Sequence, residues 1–310
     1  TEVVEANNKV RELENEERRE MIRILTDFAK KVRPNVREIL DSYNLMAAVD
    51  FIRAKAELAR LFKSFEPQVA EEPHIDWIRA IHPLLQLSLE RKNNKNISYS
   101  ISVGDIDSNK VSNEVDNRQD YNRILEEEDE VRNVPSSVVP LDIQLTKDKH
   151  LLIISGPNAG GKSVCLKTVG LLQYMLQCGL SIPVGDRSKT GIFADIMIDI
   201  GDEQSIENDL STYSSHLMNM KIMMRRASDR TLILIDEFGT GTEPQIGGAI
   251  AEAVLRQFWK KHAWAVITTH YQNLKHFAEE HPGTVNGAML YDRHEMRPLF
   301  QLAIGRPGSS

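Results

Sequence analysis

Gly156-Pro157-Asn158-Ala159-Gly160-Gly161-Lys162-Ser163 sets two glycines either side of a four-residue gap and follows them with Lys and Ser. That is the pattern of a phosphate-binding loop. The apolar run Leu151-Leu152-Ile153-Ile154 before it reads as a buried strand, and Val164-Cys165-Leu166-Lys167-Thr168-Val169-Gly170-Leu171-Leu172 after it reads as the start of a helix. In that setting backbone N–H groups curl around phosphate oxygens, and the helix N-terminus adds partial positive charge. Lys162 is placed to reach the outer phosphates and the Ser163 hydroxyl to hold Mg²⁺. The competing reading is a glycine-rich turn with a chance Lys-Ser, and the strand and helix around it weigh against that.

Outward from the loop, strand, loop and helix alternate from residue 138 onward. Residues 138–145, 151–155, 196–200, 232–235 and 265–268 are candidate strands, and 287–291 with 298–303 form a candidate hairpin. The alternation predicts an α/β fold with a mixed, largely parallel sheet.

Two of these strands end in chemistry. Leu232-Ile233-Leu234-Ile235-Asp236-Glu237 is an apolar strand closing on two carboxylates, and such a strand delivers its end to the ligand crevice of an α/β sheet. Asp236 is expected near Ser163 on the metal, and Glu237 on the water that attacks the γ-phosphate. Ala265-Val266-Ile267-Thr268-Thr269-His270 is a second buried strand, ending in an imidazole that can hydrogen-bond the γ-phosphate or the attacking water. A lone strand-end His is usually structural; its company here favours function. Between the loop and the acidic strand, Leu210-Ser211-Thr212-Tyr213-Ser214-Ser215-His216-Leu217 leads into apolar positions Leu217, Met220, Met223 and Met224 at helical spacing. It reads as a helix start, where Ser or Thr can simply cap or can bind an anion.

The remainder is less specific. Met21, Leu25, Phe28 and Val32 recur at helical spacing, and Arg33-Pro34 is expected to break that helix. A second pattern from Leu40 to Phe65 predicts a helix over 35–64, roughly 45 Å long. The pair reads either as an antiparallel hairpin or as part of a long arm. Residues 91–136 are rich in Asn, Ser, Asp and Glu and resemble a polar insertion, with Ile97, Tyr99, Ile101 and Val103 alternating as a strand might. The acidic run at 126–130 reads as a solvated face. The formal charge of -7 excludes a strongly basic nucleic-acid binder, so any DNA or RNA contact must come from local patches; Lys221, Arg225 and Arg226 on one helix could face DNA, the partner or solvent, with solvent or a domain contact favoured. The only cysteines, Cys165 and Cys178, are expected about 20 Å apart on one helix, too far for a disulfide. A reduced, cytoplasmic setting follows, with no membrane span. The chain begins at Thr1 without Met and stops at Gly308-Ser309-Ser310, which predicts a longer parent protein.

Taken together, Gly156-Pro157-Asn158 with Gly160-Gly161-Lys162-Ser163, Ser211-Thr212-Tyr213, Asp236-Glu237-Phe238-Gly239-Thr240-Gly241-Thr242 and Thr269-His270-Tyr271 resemble the MutS family of mismatch-recognition ATPases. Asp199-Ile200-Gly201-Asp202-Glu203-Gln204-Ser205 followed by Ser214-Ser215-His216 resembles its second paralogue branch, MutS-two. His82-Pro83-Leu84-Leu85 is similar to the segment opening the family's ATPase domain, and 139–143, with Leu141, to its adenine-side strand. The resemblance implies an ABC-class P-loop ATPase domain over 76–310, preceded by a helical lever or core segment over 1–75. It implies ATP and Mg²⁺, and a homodimer with composite sites in which Ser211 acts in trans on the partner's nucleotide. Gln204 is then expected at the metal or water, and Asn158 at the phosphate or the interface. Pro157 and Ala159 complete the loop. Branched DNA or recombination intermediates are the implied target, and some members of the branch act instead on stalled ribosomes. Arg306-Pro307 departs from the family's pattern, and residues 91–136 run longer than the family implies. No Smr nuclease domain is present in this sequence, so no nuclease residue is assigned. A transporter-type ATPase expects Leu-Ser-Gly-Gly-Gln where Ser211-Thr212-Tyr213 stands. A scaffold that binds ATP without hydrolysing it fits poorly with Glu237.

Overall fold

Three strands buried along nearly their whole length anchor the structure. In the computed structural model, β4 (Lys149–Ser155), β7 (Thr231–Ile235) and β8 (Trp264–Thr268) lie inside a six-stranded sheet, and every residue of β7 and β8 is buried. Runs without alternation are what a sheet covered on both faces selects. The structure describes residues 2–93, 137–157, 160–201, 209–240 and 243–308, with backbone only at 92–93 and 209–213. The expected strand at 97–103 lies outside the described residues. The chain divides into two units, Thr1–Leu58 and Ala59–Ser310.

In the second unit, the large sheet adds β6 (Asp195–Asp199), β9 (Gly283–Asp292) and β10 (Arg297–Ile304), in the order β10-β9-β4-β8-β7-β6. All neighbours run parallel except β10, which pairs antiparallel with β9. The sheet is therefore mixed and largely parallel, as the alternation predicts. Alternate side chains sort to its two faces. Leu151, Ile153, Ile233, Ile235, Ala265 and Ile267 pack with Met220 and Met223 of α5 (Asp209–Arg226), with Leu255 and Phe258 of α6 (Pro244–Lys260), and with Leu274 and Phe277 of α7 (Gln272–Glu280). The opposite face carries α4 (Lys162–Gln177), where Gly170 sits against Leu234 and Ile198.

A four-stranded sheet, order β1-β5-β2-β3, flanks this layer. It comprises β1 (Gln68–Ala70), β2 (Ile75–Ala80), β3 (Leu141–Leu145) and β5 (Lys189–Gly191); α3 (Pro83–Asn93) follows β2. β3 alternates buried and exposed residues, so one face only is covered. Gln173 of α4, fully buried, donates to Gly191 O at 2.9 Å and accepts from Thr190 Oγ1 at 3.2 Å, tying the two layers together.

In the first unit, α1 (Glu2–Val32) stops directly before Arg33-Pro34, where the sequence predicts a break. Arg33–Asn35 forms a 3₁₀ turn with helical backbone on both sides, and α2 (Val36–Leu61) continues from it. The chain does not double back at Pro34. Proline is tolerated in the first turn of a helix, where its missing N–H has no partner to lose, and that is where Pro34 sits. Neither helix buries a residue. Local pairs such as Glu20–Arg23 and Arg53–Glu57 each add only about 0.2–0.5 kcal/mol.

Candidate functional site

Parallel register decides where the chemistry lies. Ile154 pairs with Thr268, Ile235 with Ile267 and Asp199 with Ile235, so β4, β8, β7 and β6 all finish on one edge. The glycine loop follows β4, Thr269-His270 follows β8, and Asp236-Glu237 follows β7. Because β8 lies between β4 and β7, the histidine stands between the loop and the two carboxylates. This is the edge at which open α/β sheets take ligands.

Gly156 (φ 139°) and Gly161 (φ 90°) hold backbone conformations that side chains rarely adopt, and Gly161 caps α4 from the left-handed region. There is also no room for a side chain. A Cβ on Gly161 would stand 3.0 Å from Phe300 Cδ1, and one on Gly156 3.1 Å from Met289 O. Both neighbours belong to the β9–β10 hairpin, so the loop rests on it. Phe300 itself has φ 53° and sits where the β9–β10 register shifts between Pro298 and Leu302. A bulge of this kind re-aims a side chain.

Lys162 is 2% exposed and donates to Gly156 O at 2.8 Å. Burial holds its ammonium below the ordinary lysine range; Glu237 and Asp236 pull it back up, and Lys275 pushes it down. Ser163 is half-buried in the first turn of α4.

Thr268 locks the acidic pair. Its hydroxyl donates to the Asp236 carboxylate and accepts the Glu237 N–H at 2.8 Å. The Asp236 N–H donates to Asp199 O at 3.0 Å, and the Phe238 N–H to Thr268 O at 2.9 Å. These bonds hold Glu237 at φ 46°, a strained conformation costing about 1–3 kcal/mol, with its side chain exposed at the sheet edge. Asp236 also reaches back to α4: burial, and then this carboxylate, push the Cys165 thiol up to about 12. Cys165 is buried and Cys178, just past the helix, is exposed; both are free.

His270 completes the cluster. Burial, and then the Lys162 ammonium, hold its imidazole below the ordinary histidine range, while Glu237 and Asp236 oppose this and Lys275 reinforces it. Lys162, Asp236, Glu237 and His270 are thus within electrostatic reach of one another. His270 Nε2 is buried and has no hydrogen-bond partner among the described residues. Buried polar atoms rarely go unpartnered, so this one is a place for a group from outside.

The remaining predicted residues fall differently. Leu141 opens β3, 7% exposed and opposite Ala80. Asn158, Ala159 and Gln204 lie outside the described residues. Ser211 sits in the first turn of α5, which begins at Asp209, and its side chain also lies outside. Lys221 and Arg225 are exposed, and Arg226 pairs with Asp195 at 3.2 Å. Thr268, Lys275, Met289, Phe300 and the Asp199 carbonyl support the site without having been singled out in the sequence. Thr268 alone offered a signal there, a hydroxyl at the end of an apolar strand. Lys275, 3% exposed, donates to Gly308 O at 3.0 Å, and the Gly308 N–H donates to Ser155 Oγ at 2.8 Å, so residue 308 folds back against the end of β4. Among the described residues no three His, Cys, Asp or Glu side chains gather into a metal cage. Mg²⁺ does not need one, since it is bound by one or two carboxylates together with substrate phosphates. Among the same residues no helix is long and apolar enough to cross a membrane.

A family model described as MutS domain V matches residues 152–309. Proteins named "Endonuclease MutS2" align along nearly the whole chain. That of Latilactobacillus sakei subsp. sakei (strain 23K) is 37% identical over 308 residues, which is 99% of this chain and 33% of the relative. That of Enterococcus faecalis (strain ATCC 700802 / V583) is 35% identical over the same shares, and that of Geobacillus sp. (strain WCH70) 37%. The chain spans 33% of the length of these curated relatives.

Proposed function

The chain belongs to the MutS family, of the MutS2 type, and from that premise we propose that it is the ATP-binding and hydrolysing module of a dimeric protein acting on branched DNA or recombination intermediates. The observation that carries the reading is the unpartnered, buried His270 Nε2 beside the buried Lys162 ammonium, at the edge where the loop and both carboxylates meet.

In this reading the backbone from Gly156 to Gly161 wraps the triphosphate, with Pro157, Asn158 and Ala159 in the wrap and Gly160 inside it. Lys162 neutralises the outer phosphates. Ser163 and Asp236 hold Mg²⁺, which when bound withdraws charge from the phosphate oxygens. Glu237 accepts the proton of the attacking water. Its exposed side chain, carried on a turn fixed by Thr268, suits that task. His270 hydrogen-bonds the γ-phosphate, Gln204 the metal or water, and Leu141 packs beside the adenine. Ser211 serves the partner's nucleotide. Residues 1–75 act as the lever segment and 76–310 as the ATPase domain, so that differential affinity for ATP and ADP moves the grip on DNA. The word endonuclease belongs to the relatives' names; no nuclease residue is proposed for this chain.

The test is steady-state ATP hydrolysis by the full chain alone, with a four-way DNA junction, with duplex DNA of equal length, and with ribosomes. The junction is expected to stimulate more than the duplex. Stimulation by ribosomes and not by DNA would replace DNA as the target, and tight ATP binding with no turnover under any condition would make the chain a scaffold.

A further inference from the structure

Asp199 is a buried carboxylate, 5% exposed, at the end of β6. Among the described residues, its hydrogen bonds join two parts of the molecule. Its carbonyl accepts the Asp236 N–H at 3.0 Å. Its Oδ2 accepts from His216 Nδ1 at 2.8 Å and its Oδ1 from Asn219 Nδ2 at 2.9 Å. His216 and Asn219 are three apart, on one face of α5. A single residue therefore holds the backbone of Asp236 with its main chain and grips the middle of α5 with its side chain. The second half of α5 is fixed independently, since Met220 and Met223 are buried in the core against the sheet. A cavity of about 200 Å³, lined by Ile198, Asp199, Ile200, Gly201, Ser215, His216 and Asn219, lies beside this joint.

We propose that Asp199, through His216 and Asn219, is a positioning joint that couples the placement of α5 to the placement of Asp236 and Glu237. The proposal rests on the ATPase reading above. A helix is stiff along its axis, so displacement of its first turn, which carries Ser211, is transmitted to His216 one to two turns further on. From there it passes to the Asp199 carboxylate, and through the Asp199 carbonyl to the turn that presents Glu237. In this way engagement of the start of α5 by a partner's nucleotide bears on hydrolysis in the chain's own site. His216 acts through Asp199 and is a positioning residue; it touches no reacting atom. The bond requires the hydrogen on Nδ1, because a buried carboxylate only accepts.

The test compares His216→Leu, which removes the donor, with His216→Asn, whose side-chain amide places an N–H where Nδ1–H stands. Two readouts are taken on the full chain. Without nucleotide, amide hydrogen exchange over residues 236–240 is expected to accelerate roughly tenfold in His216→Leu, the loss of one charge-assisted hydrogen bond, and to stay near wild type in His216→Asn. With Mg·ATP, kcat is expected to fall roughly tenfold to a hundredfold in His216→Leu, with KM within about threefold of wild type, and to recover most of the way in His216→Asn. Wild-type exchange in His216→Leu overturns the joint, and so does an equal defect in both variants, which would mark packing alone. If the wild type hydrolyses no ATP, the function proposed above has failed, and the exchange comparison still decides the coupling.

Discussion

Glu237→Gln leaves nucleotide binding intact and lowers ATP turnover by about 10²- to 10⁴-fold, the usual contribution of a positioned general base. The amide matches the carboxylate in size but does not accept a proton from water at neutral pH. The structure makes this a clean substitution. The Glu237 side chain is exposed, and the bonds that hold its turn are made by its N–H to Thr268 Oγ1 and by the neighbouring Asp236 and Phe238 amides. None uses the Glu237 carboxylate, so the fold and the loop remain. Phosphate release measures turnover, and titration with a fluorescent ATP analogue measures affinity. A parallel loss of both would show that Glu237 holds the nucleotide and leaves the water to another residue.

Lys162→Met is expected to abolish tight binding itself. The ammonium is buried and lies beside Asp236 and Glu237, whose charges favour its protonated form. Truncating one partner of a buried, hydrogen-bonded charge pair costs roughly 2–5 kcal/mol, or roughly 30-fold to a few thousandfold in Kd. Methionine fills the space of the lysine stem and removes a desolvated charge, so thermal stability should hold or rise. Calorimetric titration with Mg·ATP, paired with a melting curve, separates the two effects. Unchanged affinity with a lower melting temperature would assign Lys162 to the fold and not to phosphate.

The contrast between these positions explains what the sequence could and could not disclose. The runs 151–154, 232–235 and 265–268 were legible because a strand buried on both faces needs apolar residues without interruption, and their ends were legible because charge at such an end has few other reasons to be there. The small sheet was not. Gln68–Ala70 and Lys189–Gly191 are three residues each and carry no periodicity; they are strands because each finds a partner, β1 pairing with β5 and β5 with β2. At Pro34 the break was legible and the path beyond it was not: a proline forbids one hydrogen bond and one backbone region upstream, and whether the chain turns back or runs on is settled by whether that bond was available. Helical spacing in residues 1–61 identified two apolar faces, which remain exposed in the unit that contains them; periodicity reports that a face is apolar, not what it meets.

The support of the site was hidden most completely. Thr268 is a single hydroxyl in an apolar run, yet it fixes the Asp236 carboxylate and the backbone that carries Glu237. Met289 and Phe300 look like ordinary hairpin residues, and only the approach of Gly156 and Gly161 gives them a role. Asp199 lies in a segment that resembles the family's, while its hydrogen bonds among the described residues reach 17, 20 and 37 positions away, a relation with no local pattern.

The central claim is that one Mg·ATP fills the space between Lys162, Asp236, Glu237 and His270. The most direct measurement is a crystal structure of the chain with Mg²⁺ and a non-hydrolysable ATP analogue. The account predicts the γ-phosphate within hydrogen-bond distance of Lys162 Nζ and His270 Nε2, with the metal on Ser163 and Asp236. A nucleotide bound elsewhere, with His270 Nε2 still unpartnered, would contradict it.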